Sequence, residues 1–227
     1  MLKMPPQNLC LARYEFALDR LRALKAVLPS NIVFDLGPGD ARMRKIEDEG
    51  FLWHGFDLTA WRDIVRWDLT DPCPNNDVSA GAVLLLDVIE HCANPGLALR
   101  NIGAVMMTTG RLIITTPNPR WSGSRFHTFV FGTASGFTQQ DLDENHHVFT
   151  PWPHILEKML HDAGFEIDEY VTLDGKARLF SRPGTLFLPA RYLLNVGLMA
   201  MEWLDPSSCG MSYGLVARKV ARSGLAP

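Results

Sequence analysis

The chain has 227 residues, 47% of them hydrophobic and 21% charged, with a formal net charge of −3. That length suits one embellished domain with a core of its own, and the make-up is that of a soluble globular chain. The small negative charge makes no electrostatic case for a nucleic-acid or anionic-membrane partner. Four scattered cysteines (Cys10, Cys73, Cys92, Cys209) without CxxC spacing read as free thiols in a reducing compartment, not as a disulfide framework or zinc site. The opening MLKMPPQNLC has no apolar run of the signal-peptide kind, so a cytoplasmic location is expected.

In chain order, LARYEFALDRLRALKAVLP reads as a leading helix, with Leu18, Leu21, Leu24 and Leu28 at helical spacing and a stop at Pro29. NIVFDLG is a short buried strand. DARMRKIEDEG follows as a helix opened by Asp40 and closed by Gly50. FLWHGFDL, DIVRWDL and AVLLLDV are strand candidates, and NPGLALRNIGAVMMTTG is a helix from Pro95 to Gly110. RLIITTPN is another strand. The stretch from Pro117 to Thr150 reads as mostly irregular, and PWPHILEKMLHDAGFEIDEYV as helix, glycine turn and strand. SYGLVARKV alternates as a final strand. Strands alternating with helices predict an α/β fold with a mostly parallel sheet covered on both faces and a mixed far edge.

Late in the chain, TLFLPARYLLNVGLMAMEWL (Thr185 to Leu204) is nearly long enough to span a bilayer, but Arg191 and Glu202 interrupt it. Leu193, Val196, Gly197, Ala200, Trp203 and Leu204 recur at helical spacing, with Arg191, Asn195 and Glu202 on the other side. The pattern predicts an amphipathic helix packing its apolar side on the domain. A dimer or substrate-cap surface, or attachment to a membrane surface, are the other readings.

In parallel sheets, ligands bind beyond the carboxyl ends of the strands, so the residues that follow each strand carry the information. After the first core strand comes DLGPGDA: Asp35, Gly37, Gly39 and Ala41. Glycines there let backbone approach a ligand. Arg42 stands at the third glycine position of a nicotinamide fingerprint, and no Gly-Lys-Ser/Thr follows, which disfavours a dinucleotide oxidoreductase and a P-loop. Asp35 and Asp40 would repel a pyrophosphate and suit a ligand with a cationic end. Asp57 ends the second strand as an acceptor for ribose hydroxyls. Asp68 could accept from an adenine amino group, with Trp67 offering a flat apolar face. Either aspartate could instead cap a turn.

These stretches, with VLLLDVIEHCANPGLALRNI, GRLIITTPN and HHVFTPWPHILEKMLHDAGFEI, resemble the class I S-adenosylmethionine-dependent methyltransferases, closest to their type 11/23 bacterial branch. The resemblance runs from about Asn31 to Tyr170. It implies a Rossmann-like, seven-stranded, mostly parallel sheet with helices on both faces. It also implies that Asp35 and the Gly37–Gly39 loop hold the methionine moiety of S-adenosyl-L-methionine, Asp57 the ribose, and Asp68 with Leu69 the adenine. Leu86 and Asp87 would lie along the methionine side of the sulfonium. The sequence departs from the family at Ala41, where a third glycine is usual, and near Gly81, where an aspartate usually begins the strand. One domain over 1–227 is expected: leading helix 1–30, cofactor-binding core 31–116, lid or acceptor insertion 117–150, and C-terminal half 151–227 with a helical insertion at 184–204.

Asp87, Glu90 and His91 then follow the buried VLLL run, and a helical turn there would put them on one face. Methyl transfer to a hydroxyl needs alignment and a base. His91 is the first candidate, and His146 and His147 could fold over the same mouth. Asp87, Glu90, His91 and one of His146 or His147 could also hold a divalent metal, similar to ubiquinone-pathway O-methyltransferases and small-RNA 2′-O-methyltransferases, although the metal-free reading is preferred. Trp121, Phe126, Phe129, Phe131 and Phe137 would order a lid over a small-molecule, lipid-linked or sugar acceptor, or simply pack beneath the loop. The only basic stretch, ARMRK, reads as a solvated helix face, so metal-assisted RNA methylation stays second. A non-catalytic S-adenosylmethionine-binding module is the reading from another class.

Overall fold

The computed structural model describes residues 7–9, 11–75, 77–175 and 188–221. Cys10 and the start of the 184–204 insertion lie outside the described residues. The described cysteines, Cys73, Cys92 and Cys209, are not joined in disulfides.

The chain runs through β1 (Gln7–Asn8), α1 (Arg13–Leu24), β2 (Ile32–Leu36), β3 (Leu52–Asp57), β4 (Val65–Arg66) and β5 (Ala80–Leu86). It continues with α2 (Pro95–Val105), β6 (Met106–Pro117), α3 (Ser122–Phe131), α4 (Gln139–Asn145), α5 (Pro153–Asp162), β7 (Phe165–Leu173), α6 (Leu188–Leu204) and β8 (Ser212–Lys219). The sheet order is β1-β7-β8-β6-β5-β2-β3-β4. All neighbours are parallel except β8, which is antiparallel to both β6 and β7. The expected mixed edge is therefore present, and β1, parallel to β7, adds an eighth strand to the expected seven.

Alternation along the strands divides the core between the two faces. Phe34, Leu36, Val83 and Leu85 join Leu99, Ile102, Leu156 and Leu160 of α2 and α5. Val33, Leu84, Leu86 and Ile113 join Phe16 and Leu21 of α1. β5 lies between β2 and β6 and is buried along its whole length, which accounts for its unbroken apolar run. The chain moves outward from β2 to β4 and then returns to the other side of β2, so the topological switch point lies between β2 and β5.

Several expected elements differ. The segment from Arg42 to Glu49 is a 3₁₀ helix whose N-cap is Ala41 in the left-handed region (φ 58°), and Asp40 pairs with Arg42 instead of capping. Gly50 closes it as expected, at φ 83°. The helix expected to run to Gly110 stops at Val105, because Met106 already pairs with Ala80 on the sheet. Of DIVRWDL only Val65–Arg66 is strand. The expected irregular stretch after Pro117 contains α3 and α4, the latter opened by a reciprocal cap between Thr138 and Asp141.

The largest correction concerns α6. Its apolar stripe faces outward: Leu193, Val196, Trp203 and Leu204 are exposed. Glu202, expected on the solvent side, is buried and accepts a hydrogen bond from Ser122 Oγ at 2.8 Å. The side chain of Arg191 is outside the described residues.

Candidate functional site

The carboxyl ends of β2 to β5 open onto one mouth at the switch point. At the end of β2, Asp35 is 2% exposed and accepts from Trp53 Nε1 at 3.0 Å. Burial pushes its carboxyl up to about 6 against that hydrogen bond. The chain then turns through Gly37 (φ 67°) and Gly39 (φ 56°). Gly37 N donates to Phe56 O at 2.8 Å, and a Cβ on Gly37 would lie 2.6 Å from Val88 Cγ2. A Cβ on Gly39 would meet nothing within 4 Å. One glycine therefore lets the loop pack onto the β5 side, while the other leaves exposed backbone facing open space. Ala41 holds the left-handed conformation that a third glycine would take without strain.

Asp57, half-buried at the end of β3, accepts weakly from Thr59 N at 3.4 Å. Asp68 closes a turn, its Oδ1 accepting from Thr70 N at 2.9 Å and Thr70 Oγ1 at 2.7 Å, and these bonds hold its carboxyl below the usual range. A carboxylate has further acceptor sites, so this turn leaves capacity for a ligand. Leu69 is half-buried, and its carbonyl accepts from Asn101 Nδ2 at 2.9 Å. Trp67 does not offer an open face: it is buried, edge-on to Phe56, with Nε1 donating to Asp71 O.

At the end of β5, Leu86 is buried and Asp87 adopts φ 53°, a strained conformation for a residue other than glycine. Its N–H donates to Thr115 O at 2.9 Å, and its Oδ1 accepts from Thr115 Oγ1 at 2.8 Å. Oδ2 pairs with the Arg13 guanidinium from α1. Asp87 thus precedes the turn and does not share a helical face with Glu90 and His91; Ile89–His91 is a short 3₁₀ helix. Glu90 points inward, 1% exposed, and accepts from Thr116 Oγ1 at 2.9 Å. Burial pushes its carboxyl up to about 7.

His91 meets His147 edge to face, with ring centroids 4.8 Å apart. Desolvation on that side, and then the His147 ring itself, holds His91 below the usual histidine value. His147 Nδ1 lies against Gly136 O, and Phe137 packs on its other side at 5.4 Å. Because a carbonyl only accepts, Nδ1 is the donor in that contact. Glu90, His91 and His147 each bring one ligand atom to within 4.8 Å of the others. His146 is the exposed C-cap of α4 and is not part of this group, nor is Asp87, so the expected set of four donors reduces to three.

The insertion supplies one aromatic, Phe137, to the histidines. Trp121 is buried, and Phe129 and Phe131 are exposed, the Phe131 ring lying 4.7 Å from that of His127. Sequence reasoning missed Arg13, Trp53, Asn101, Thr115 and Thr116. For the two threonines a signal existed, since they end the strand beside β5, with Leu86 opposite Thr115.

The mouth fits S-adenosylmethionine. Asp35, Asp57, Asp68 and Asp87 stand at or just after the carboxyl ends of β2, β3, β4 and β5, and a Cβ on Gly39 would meet nothing within 4 Å. Arg13 brings a guanidinium to the same place, where it pairs with Asp87.

Comparison with known proteins agrees. A family profile described as a methyltransferase domain matches residues 11–170. A SAM-dependent methyltransferase from Archaeoglobus fulgidus superposes with a TM-score of 0.60 at 17% identity, over 91% of this chain and 94% of that one. The YcgJ protein from Bacillus subtilis gives 0.58 at 12% identity, over 91% and 99%. Phosphoethanolamine N-methyltransferase 2 of Haemonchus contortus, solved in complex with S-adenosyl-L-methionine, gives 0.53 at 15% identity, over 92% and 53%. No curated protein matches significantly in sequence. The sheet order, the glycine turn at its switch point and the profile match together make the chain a member of the class I S-adenosylmethionine-dependent methyltransferase family.

Proposed function

We propose that the chain methylates an oxygen of a small-molecule, lipid-linked or sugar acceptor. The observation that carries this reading is the Glu90–His91–His147 group beside the β5 end of the cofactor mouth. When bound, S-adenosylmethionine supplies an electrophilic methyl group on a cationic sulfur. Asp35 and the Gly37–Gly39 loop hold the amino-acid end, with Arg13 paired to its carboxylate. Asp57 takes the ribose hydroxyls, Asp68 and Leu69 bind the adenine edge, and Leu86 and Asp87 flank the methionine chain. His147, its tautomer fixed by Gly136, presents Nε2 as the base that removes the acceptor's proton. His91, held below its usual pKa, stays neutral near pH 7 and can share that proton. Glu90, with its raised pKa, keeps a carboxyl beside them that is only partly ionised at neutral pH. His146 has no part in this step.

A second reading is favoured by the same three donors: a divalent ion held by Glu90, His91 and His147 would lower the pKa of a bound acceptor hydroxyl. RNA as that acceptor is disfavoured. Arg42 and Arg44 are tied to Asp40, Glu47 and Asp63, leaving little free positive charge beside the glycine loop. The free cysteines fit a cytoplasmic protein, and no described helix is long and apolar enough to cross a membrane.

The test is calorimetric titration with S-adenosylhomocysteine, followed by acceptor turnover with and without chelator. Micromolar binding and chelator-insensitive transfer to oxygen are expected. Turnover lost to chelator and restored by Mn²⁺ selects the metal reading, and binding without turnover on any acceptor leaves a non-catalytic module. Absence of binding refutes the cofactor assignment.

A further inference from the structure

The carboxyl end of the sheet carries a second polar group, on the β7 side, that methyl transfer as derived above does not use. Tyr170 lies near the end of β7, its ring edge-on to Tyr213 with centroids 5.7 Å apart. Its hydroxyl is buried, and no described residue hydrogen-bonds it. Thr172, two residues on and therefore on the same face, has a buried hydroxyl in the same condition. Buried polar groups in folded proteins are nearly always paired, so two orphans on one face point to a polar partner.

Charge says which kind. Asp205 Oδ2 receives Arg125 Nη2 at 2.5 Å and Arg120 Nη2 at 3.3 Å. Its Oδ1 accepts from Ser207 N at 3.0 Å and from Ser207 Oγ. Against the cost of burial, the bonds from Ser207 and Arg125 hold its carboxyl at about 2, so it stays ionised. One carboxylate thus holds two guanidiniums. Each spends one N–H on it, and no other described residue accepts from either side chain. Arg120, Asp205 and Arg125 are the charges that bear on the Tyr170 hydroxyl, while Glu202, a turn earlier on α6, is engaged by Ser122 Oγ. Around that hydroxyl the surplus is positive and the unused groups are donors, which suits a carboxylate or a phosphate.

Position ties this group to the reaction. Arg120 follows Pro117, the last residue of β6, and Pro117 and Leu173 both pair with Ser212, so Arg120 and Tyr170 share the carboxyl end with Glu90. Thr116, which donates to Glu90, is paired with Tyr213, and Tyr213 with Thr172. A polar row therefore crosses the sheet from the Glu90–His91–His147 group to β7. In the sheet order β5 and β7 are three strand spacings apart, roughly 14 Å.

We propose that the acceptor carries an anionic group, carboxylate or phosphate, held by Arg120, Arg125 and Tyr170 while its hydroxyl lies at the histidines. The inference rests on the methyl-transfer reading of the same mouth and names the class of acceptor.

The probes would be ω-hydroxydecanoate, decanediol monophosphate and neutral decanediol, which differ at one end only. Each is titrated calorimetrically into the full chain with and without S-adenosylhomocysteine. At least one anionic probe should bind about tenfold or more tightly than the diol, and the stronger of the two identifies carboxylate or phosphate. Tyr170→Phe and Arg120→Gln should each remove about tenfold or more of that preference, leaving diol affinity unchanged. Tyr170→Phe should not lower the melting temperature, because the hydroxyl it removes has no partner in the described chain. Equal affinity for the three probes overturns the proposal, as does binding of none of them. So does an anionic preference that survives in both variants. Absence of S-adenosylhomocysteine binding strikes the methyl-transfer reading instead, and is read in the same titrations.

Discussion

Asp35 offers a test of how the cofactor mouth is built, because its carboxyl is buried before any ligand arrives. Its pKa moves from 3.8 to about 6, chiefly through desolvation. At about 1.4 kcal/mol for each factor of ten, ionising this group in the folded chain costs about 3 kcal/mol. The folded state therefore binds the proton more tightly than the unfolded state, and stability falls as pH rises from about 4 to about 6, then levels. Asp35→Asn removes the ionisation. Glu90, which rises from 4.5 to about 7, contributes a similar slope of its own, but it is common to both proteins and cancels in the difference.

The assay is urea unfolding of wild type and Asp35→Asn from pH 4 to pH 7.5. The offset at the acid end reports the amide swap itself. The variant should then gain up to about 3 kcal/mol relative to wild type as pH rises. Saturating S-adenosylhomocysteine should flatten the wild-type slope, because an amino group beside Asp35 favours its ionised form. The variant should lose about ten- to a hundredfold in affinity, as expected for a hydrogen bond to a charged group. A wild-type-to-variant difference that does not change with pH would refute the argument. So would the opposite slope, which would mean that the folded chain already stabilises the anion.

Ala41→Gly should raise stability by about 1 kcal/mol, since the residue sits at φ 58°, and a denaturation curve reads it. Gly81→Ala should cost about 1–3 kcal/mol or more, because a Cβ there is driven into the Ser30 carbonyl. Arg13→Ala should weaken S-adenosylhomocysteine binding in calorimetry with stability changed by less than about 1 kcal/mol, the Arg13 side chain being 41% exposed. His147→Ala should lower turnover by about 10²–10⁴ with cofactor affinity kept, whereas His146→Ala should leave turnover unchanged. Equal losses in the two would sink the role given to Gly136 in fixing the base.

What the sequence made legible was whatever it carries locally. A buried strand announces itself as an unbroken apolar run, and its end can be read from where that run stops, so the places of Asp35, Asp57 and Asp87 at strand ends could be named without coordinates. Gly81 shows the limit of that reasoning. As a departure from the family pattern it carried no physical reason of its own, whereas the Ser30 backbone occupies the space that any Cβ would need. Partners brought in from far along the chain had no local sign. Trp53 reaches Asp35 across the pairing of β2 and β3, and Arg13 reaches Asp87 across 74 residues.

α6 makes the same point about direction. Helical spacing locates an apolar stripe, but it says nothing about which side the domain covers, and the ordinary expectation is that the apolar side turns in. Here one hydrogen bond between residues 80 apart, Ser122 Oγ to Glu202, turns the polar side in. A buried carboxylate needs a donor, and a folded domain supplies one more readily than it supplies a second apolar layer for Trp203 and Tyr192. The helix is thus oriented by its one carboxylate and leaves its apolar side outside its own core, so that orientation, and not hydrophobicity alone, distinguishes this segment.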